Sequence, residues 1–288
     1  FGPDAYHIFK KGAGRFHHSL PRVLATLGYK TMLASSCRRS FFSYDAFYRS
    51  IGMGELVFSD DLEPPFDVER FEKTYSDTVF LEAAIGALAE RMTDDPAPRF
   101  LYALTNFNHG PHDRRLVLPG RFEAERAFAV DRLPDLQYGE YYSRLAETAA
   151  AWQQVKSRLA TTFSYRPMLI VHYGDHQPVM TRRIERRLTL PEDDRRQFRT
   201  FYAIEGLNFE FDESVPRQYA TLDIAFLGTV ALQLAGLPLD RVSATRASLL
   251  EDCGEGYFAS SSDRKSRFHR TLVDLNLIDL AADRRKQQ

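Results

Sequence analysis

A run of apolar residues that ends in an acid and a histidine constrains this chain more than any other feature. Residues 168–173 read Met-Leu-Ile-Val-His-Tyr, which has the length of a buried parallel strand and not of a helix. Gly174 ends the run, and Asp175 and His176 follow directly. In open α/β sheets, ligands bind at the carboxyl edge of the strands. The run therefore predicts a strand that delivers two polar side chains to a binding edge.

Asp175 and His176 are candidate ligands of a divalent metal ion. A carboxylate oxygen and a neutral imidazole nitrogen suit zinc or manganese. The alternative is that Asp175 caps the segment that follows it and that His176 lies on the surface without a ligand. The order of strand, glycine and pair leaves both interpretations open.

A second apolar strand is predicted over residues 99–107, and a polar segment with two histidines follows it. That segment reads Asn108-His109-Gly110-Pro111-His112-Asp113-Arg114-Arg115. A long helix over 137–159 leads from this strand to the one at 168–173, and such a crossover has the length that parallel neighbours need. If the two strands are neighbours, His109 shares one pocket with Asp175 and His176.

Such a pocket has the chemistry of a metal-assisted phosphoryl or sulfuryl site. A divalent ion would act as a Lewis acid on an oxygen of the substrate anion. The cationic side chains that follow His109 are candidates for contact with the same anion. They are His112, Arg114 and Arg115.

The rest of the chain alternates between helices and strands. The patterns predict helices over 22–27, 41–51, 76–92 and 221–235, strands over 29–34, 56–58, 200–204 and 273–280, and an irregular segment over 116–136. This alternation predicts the α/β class, with a mostly parallel sheet in a three-layer α/β/α sandwich. Because the first helix leads directly into a strand, we expect the strand before that helix to lie upstream of Phe1, so that the domain lacks its first βα unit.

Composition excludes some classes of function. Lys and Arg number 38 against 39 Asp and Glu, so no basic excess indicates a nucleic-acid partner. The chain has two cysteines, Cys37 and Cys253, which indicate neither a disulfide framework nor a cysteine-rich zinc site. The most apolar stretch, 224–239, is too short for a membrane span.

Several motifs together resemble a known family. In order they are Ser19-Leu20-Pro21 with Gly28-Tyr29-Lys30-Thr31, the run 41–52 around Asp45 and Tyr48, Asn108-His109-Gly110-Pro111, Tyr173-Gly174-Asp175-His176-Gln177-Pro178 and, more weakly, Leu222-Asp223-Ile224-Ala225. On these motifs the chain resembles the catalytic domain of the sulfatase-like, alkaline-phosphatase-type fold. That domain occurs in lipoteichoic acid synthases, phosphoglycerol transferases and phosphoethanolamine transferases of bacterial envelopes.

The resemblance implies a metal-dependent phosphotransferase. Asp175 and His176 would ligate the ion, which would be Mn, Zn or Mg, and His109 would contact the transferred phosphate group. The resemblance also implies a metal-activated Thr nucleophile and a further acidic ligand, both expected upstream of Phe1, so the chain as given is expected not to turn over. We expect the catalytic domain over 1–240, and over 241–288 a C-terminal extension that packs on the same domain.

One segment departs from the family pattern. Lipoteichoic acid synthases have a His-containing segment that leads to Phe-Trp-Asn-Arg-Asp, whereas residues 35–45 here read Ser-Ser-Cys-Arg-Arg-Ser-Phe-Phe-Ser-Tyr-Asp. The His position falls near Ser35 and the Arg position on Tyr44. Arg38 or Arg39 can substitute as the anion contact. The head group, phosphoglycerol or phosphoethanolamine, stays open.

The resemblance also implies partners and a location. The donor would be a phospholipid and the acceptor an envelope glycan or lipid, at the periplasmic face of the inner membrane. The membrane would be reached through a segment upstream of Phe1. Two alternatives stay open: a sulfatase or phosphodiesterase on the same fold, and a non-catalytic relative that only binds an anionic glycan or lipid.

Overall fold

The computed structural model describes residues 8–62, 76–93, 95–188, 196–211, 214–216, 219–253, 257 and 262–277, and it confirms the α/β class. The five strands of these ranges are β1 (Lys30–Ser35), β2 (Glu55–Phe58), β3 (Arg99–Leu104), β4 (Met168–Tyr173) and β5 (Tyr202–Leu207). The helices of the same ranges are α1 (Ile8–Lys11), α2 (Leu20–Thr26), α3 (Tyr44–Ser50), α4 (Asp77–Met92), α5 (Glu123–Arg132), α6 (Leu136–Thr162), α7 (Thr181–Leu188), α8 (Ile224–Leu234), α9 (Arg241–Cys253) and α10 (Ser262–Asp274).

The first three strands form a parallel sheet in the order β2-β1-β3. The central strand β1 pairs Leu33 with Leu56 of β2 on one side and with Tyr102 of β3 on the other. The strand is reached from helix α2, which begins after the N-cap Ser19 and ends before Gly28, a residue in the left-handed region at φ +85°. All three strands therefore end at the same edge of the sheet.

Helices cover both faces of this sheet because successive side chains of β1 point to opposite faces. On one face, Met32 and Ala34 pack with residues of α4 and α6, among them Phe80 and Val155. On the other face, Leu33 packs with residues of α1, α3 and β2, which include Phe9, Phe47, Tyr48, Leu56 and Phe58. The parallel sheet thus lies between two helical layers, as the predicted sandwich requires.

The last two strands form a second, antiparallel pair. β4 pairs with β5, with Val171 opposite Ile204. Helices α8, α9 and α10 pack in one apolar cluster with these strands, and that cluster includes Phe226, Val230, Leu234, Leu249, Leu250, Phe268, Leu169 and Ile204. The described part of the predicted extension 241–288 is thus helical and packs beside β4 and β5.

Three predictions about elements were wrong. β4 pairs with β5, and in the described ranges no backbone pairing joins it to β3, because the length of a connection does not determine the hydrogen-bonding neighbour. The segment 116–136 contains α5, which packs on α6. The strand predicted over 273–280 is instead the end of α10 as far as Asp274, and its residues 278–280 lie outside the described residues.

No helix of the described ranges has both the length and the hydropathy that a membrane span needs. The predicted helices near residues 22, 76, 137 and 221 are confirmed as α2, α4, α6 and α8. Helix α4 buries Phe80, Ala84 and Leu88, which the helical spacing of its apolar residues indicates.

Helix α4 offers a test of the packing on the parallel sheet. Phe80 is 2% exposed in the cluster beneath the sheet, whereas its neighbour Val79 is 45% exposed. We expect Phe80→Ala to lower the free energy of unfolding by about 3–5 kcal/mol and the control Val79→Ala by less than about 0.5 kcal/mol. Urea denaturation followed by circular dichroism measures both. Equal losses would contradict the packing described here.

Candidate functional site

Asp175 and His176 lie together where the chain leaves β4. Asp175 Oδ1 accepts a hydrogen bond of 2.8 Å from the backbone N–H of His176, which leaves Oδ2 facing the imidazole. Oδ2 lies 3.4 Å from His176 Nε2, and both side chains are well exposed. The structure therefore places a carboxylate oxygen and a ring nitrogen side by side at the surface.

His109 joins this pair from the loop after β3. Its ring centroid lies 6.3 Å from that of His176, with the two rings nearly perpendicular at 83°. Although β3 and β4 are not paired, the loop after one and the segment after the other thus meet. The structure brings together His109, Asp175 and His176, the three residues that the sequence singled out.

Both imidazoles are oriented by the backbone. His109 Nδ1 lies 2.7 Å from the carbonyl oxygen of Gly110, and His176 Nδ1 lies 2.9 Å from that of Gln177. Because a carbonyl only accepts, each Nδ1 carries the proton and donates it. The neutral form of each ring therefore has its lone pair on Nε2, the atom that a metal ion binds.

The residues present fit part of a metal site. Two ligands that each lie about 2 Å from an ion come within roughly 3 to 4 Å of one another, which the Asp175–His176 separation of 3.4 Å matches. A carbonyl that fixes the ring of a ligand histidine is the usual support of such a site. In the ranges described above, no group of three or more His, Cys, Asp or Glu residues is placed to hold a metal. Asp175 and His176 thus provide two ligands and leave the others to be supplied.

The other residues predicted to contact an anion lie in different surroundings. His112 is buried, with Nε2 3.1 Å from the carbonyl oxygen of Asn108 and its ring 5.2 Å from that of Tyr141, so it supports the loop from inside. Arg114 is exposed in the same loop, and Arg115 forms an ion pair with Glu123. Of these three residues, Arg114 and Arg115 are exposed, and Arg115 is paired with Glu123.

Arg38 and Arg39 follow the carboxyl end of β1. Arg39 is paired with both Asp45 and Asp61, and its guanidinium lies over the ring of Phe58, 4.8 Å from the centroid. These two carboxylates neutralise the charge that an anion contact needs. Arg38 is exposed beside it. The structure therefore places Arg39 in a network with two carboxylates and Arg38 at the surface.

Sequence reasoning missed two residues near the site. Arg144 of α6 is buried beneath the loop that carries His109, and Thr200 lies against Gly174, just before Asp175. Arg144 had a signal in the sequence, since it stands four residues after Glu140 and an i,i+4 pair of opposite charge occupies one helix face. Thr200 had none, because the contact depends on the pairing of β4 with β5.

A chain of polar contacts lies behind the same loop. Asn108 Nδ2 donates to Thr148 Oγ1 of α6, and that hydroxyl donates to Asp77 Oδ2 of α4 over 2.7 Å. Asp77 is 2% exposed, and burial raises its pKa to about 6, although hydrogen bonds from Thr148 and Thr105 lower it. The residue before His109 is therefore fixed to two helices.

Asp77 makes stability depend on pH with a definite sign. Since its pKa is about 6 in the folded chain and about 3.9 in the unfolded chain, its contribution to stability is fully present below pH 4 and is lost as pH rises through 6. The loss is of order 3 kcal/mol. We expect Asp77→Asn to remove this part of the pH dependence, as measured by urea denaturation at pH 4 and pH 7. A difference between wild type and variant that is the same at both pH values would contradict it.

A substitution at Gly174 tests the contact between the end of β4 and the start of β5. A methyl group at this position would lie 2.2 Å from Thr200 Oγ1. We expect Gly174→Ala to cost about 1 kcal/mol of stability, and Gly174→Ala combined with Thr200→Ala to recover most of the loss, because the hydroxyl is then absent. Thr200→Ala alone is the control. Additive effects in this double-mutant cycle would contradict the contact.

Comparisons with known proteins agree with this architecture. Three solved structures resemble the chain, and it spans about half of their length. They are the lipoteichoic acid synthase LtaP of Listeria monocytogenes (21% identity, 69% of this chain and 45% of that one, TM-score 0.49), the Streptococcus pyogenes phosphoglycerol transferase GacH in complex with sn-glycerol-1-phosphate (13% identity, 86% and 60%, TM-score 0.59) and an alkaline phosphatase superfamily protein of Vibrio parahaemolyticus (14% identity, 82% and 55%, TM-score 0.53).

The likeness to the last two of these structures supports the fold alone. No curated protein matches the sequence. The family model of the sulfatases matches residues 3–200, which include both strand ends of the site. The chain therefore belongs to the sulfatase family.

Proposed function

We propose that this chain carries part of a phosphotransferase site that moves a phosphoglycerol or phosphoethanolamine head group from a phospholipid to an envelope glycan or lipid. The observation that carries the proposal is the meeting of His109, Asp175 and His176 at one place, with Oδ2 and Nε2 of the last two 3.4 Å apart. Of the two head groups, phosphoglycerol is supported by the likeness to the Streptococcus pyogenes phosphoglycerol transferase in complex with sn-glycerol-1-phosphate.

Asp175 and His176 would hold the divalent ion, which is Mn, Zn or Mg in our proposal. Members of the superfamily generally use such ions, and a bound ion supplies Lewis-acid stabilisation of the phosphoryl oxygens. The carbonyls of Gly110 and Gln177 hold the rings of His109 and His176 in the orientation described above. The protein thus fixes its donor atoms before a ligand arrives, which lowers the entropic cost of binding.

His109 would contact the transferred phosphate group. In its protonated form it keeps the Nδ1–H bond to Gly110 and donates from Nε2 to a phosphoryl oxygen. Arg114 and Arg38, both exposed, would attract the anionic head group toward this contact. His112, which is buried, and Arg39, which lies between Asp45 and Asp61, would support these segments.

The nucleophile would come from a further strand. β3 and β4 each have an edge to which no strand of the described ranges is paired, and the hydroxyls of Tyr102 and Tyr173 lie 3.2 Å apart between them. A strand of a longer parent protein placed there would end beside His109 and Asp175. We propose that it carries the metal-activated Thr, so that this chain alone binds ligands without turnover.

The proposed setting is the periplasmic face of the inner membrane, where a phospholipid donor and a glycan or lipid acceptor are both accessible. A membrane anchor in the parent protein would hold the site near its donor. A second function is favoured by the family match itself: a sulfatase or phosphodiesterase would use the same two metal ligands and differ in its nucleophile. The sulfatase differs from the transferase in the anion that the site prefers, and the phosphodiesterase differs in using water as the acceptor.

Metal binding is the first test. We expect isothermal titration calorimetry to show Mn²⁺ binding to the wild type, and Asp175→Asn and His176→Gln each to weaken it by at least about tenfold because each removes a ligand. Asp113 is an exposed carboxylate in the loop that carries His109, so Asp113→Asn is the matched control and should leave the affinity for Mn²⁺ unchanged. Equal affinity in wild type, Asp175→Asn and His176→Gln would exclude the assignment.

Anion preference is the second test. With Mn²⁺ present, sn-glycerol-1-phosphate should bind more tightly than sulfate, and His109→Gln should weaken its binding because the contact of the ring with the phosphoryl oxygen is lost. The same titrations with inorganic phosphate separate the phosphoryl contact from contacts to the glycerol. Tighter binding of sulfate would support the sulfatase alternative over the transferase.

A further inference from the structure

The loop that carries His109 turns its backbone carbonyls inward, toward one guanidinium. Arg144 Nη1 donates to the carbonyl oxygens of Phe107 and His109 over 3.3 Å and 3.2 Å. Its Nη2 donates to those of Pro111 and Arg114 over 3.3 Å and 2.8 Å. A single side chain of α6 thus holds the loop at points before, at and after His109.

Every donor of this guanidinium has a partner. Arginine has five N–H donors in a rigid planar fork. Four of them donate to the carbonyls of the loop, and the fifth, on Nε, donates to Glu140 Oε1 over 2.8 Å. The side chain is completely buried. Lysine, with three donors on one nitrogen, cannot reproduce this set of bonds.

Glu140 fixes the guanidinium from the helix side. Its Oε1 also accepts from the backbone N–H of Leu116 over 2.8 Å, and its Oε2 accepts from Arg126. Burial alone would raise the pKa of Glu140, but the hydrogen bonds from Arg144, Leu116 and Arg126 outweigh it and hold the pKa below its ordinary value. Glu140 therefore stays ionised and balances the buried charge of Arg144.

Apart from the ring of the buried His112, which packs against Tyr141, the buried side chains of the loop lie at its two ends. Phe107 and Val117 are buried, whereas Gly110 is only half-buried and Pro111, Asp113 and Arg114 are exposed. His109 must itself stay exposed to reach His176. Between its ends, the loop is also held by the hydrogen bonds of Arg144, Asn108 and His112.

We propose that Arg144 is a positioning residue that sets His109 against His176 by holding the backbone of the loop. It touches the carbonyl of His109 and not the imidazole, so its effect on a ligand passes through the position of the ring. The role of Arg144 in positioning the His109 ring does not depend on the proposed function, but its expected effect on phosphate binding rests on that function.

The test compares Arg144→Lys with Val155→Ala. Val155 lies on the same helix, is 3% exposed and packs in the cluster beneath the parallel sheet, so its truncation destabilises α6 without touching the loop. Two readouts are measured on each folded variant: the nuclear Overhauser effect between the rings of His109 and His176, and the affinity for inorganic phosphate in the presence of Zn²⁺.

We expect Arg144→Lys to lose the ring-to-ring effect and to bind phosphate roughly tenfold more weakly, as removal of a supporting contact does. Val155→Ala should lower the thermal midpoint and change neither readout. If Arg144→Lys retains both the ring-to-ring effect and the wild-type affinity, the proposal is wrong and Arg144 contributes to stability alone.

A second variant covers the case in which Arg144→Lys does not fold. Glu140→Gln keeps the length of the side chain and an oxygen acceptor but removes the charge that fixes the guanidinium. It should speed hydrogen exchange of the backbone amides of residues 108–110 and 112–114 and weaken the ring-to-ring effect, whereas Val155→Ala should leave both unchanged. Unchanged exchange and an unchanged ring-to-ring effect in Glu140→Gln would overturn the proposal.

The failures of the two proposals are distinguishable. If the wild type binds none of Mn²⁺, Mg²⁺, Zn²⁺ and phosphate, the proposed function fails, while loss of the ring-to-ring effect in Arg144→Lys still supports the positioning role. If the wild type binds a metal ion and phosphate and Arg144→Lys behaves like the wild type, the positioning role fails and the proposed function stands.

Discussion

Helix α6 is the support on which the geometry of the site depends, because it contacts both sheets and the loop between them. Val155 packs beneath the parallel sheet, and Trp152 and Lys156 bond to Glu205 of β5. Trp152 also stacks on His172 of β4, with ring centroids 4.3 Å apart. No backbone pairing joins β3 to β4 in the part of the chain that the structure describes, so α6, which contacts the loop of His109 and β4, links the two halves of the site together with the contact of Tyr102 and Tyr173.

The class of the fold could be predicted from the sequence because its information is local. Apolar runs bounded by glycine identify β1, β3 and β4, and apolar residues at helical spacing identify α4, α6 and α8. Pairing is not local. The antiparallel partner of β4 lies about thirty residues further on, and nothing within 168–173 distinguishes it from a parallel neighbour. The end of α10 shows the same limit. Val273 to Leu277 alternates like a strand, yet Val273 and Asp274 are the last two residues of the helix.

The residues of the site likewise divide into those that local sequence predicts and those whose partners lie far along the chain. Asp175 and His176 lie close together because they are adjacent in the chain. The place of His109 near them could be predicted because functional residues lie on the loops at strand ends. Partners that neutralise or bury a side chain lie far along the chain. Asp45, six residues after Arg39, is near enough in the sequence to suggest a partner, but Asp61 stands 22 residues after it, so the pairing of Arg39 with two carboxylates could not be predicted from the residues around it.

The buried face of α6 explains why a charged residue supports the loop. Toward the parallel sheet this face is apolar, with Ala151 and Val155, but toward the loop it carries Glu140, Arg144 and Glu147, all buried. A loop that must expose a histidine cannot bury enough apolar surface to fix itself, and its inward carbonyls require donors. A helix face of leucines would leave those carbonyls unsatisfied. The change from apolar to ionic residues along one face therefore follows from what each half of the helix has to hold.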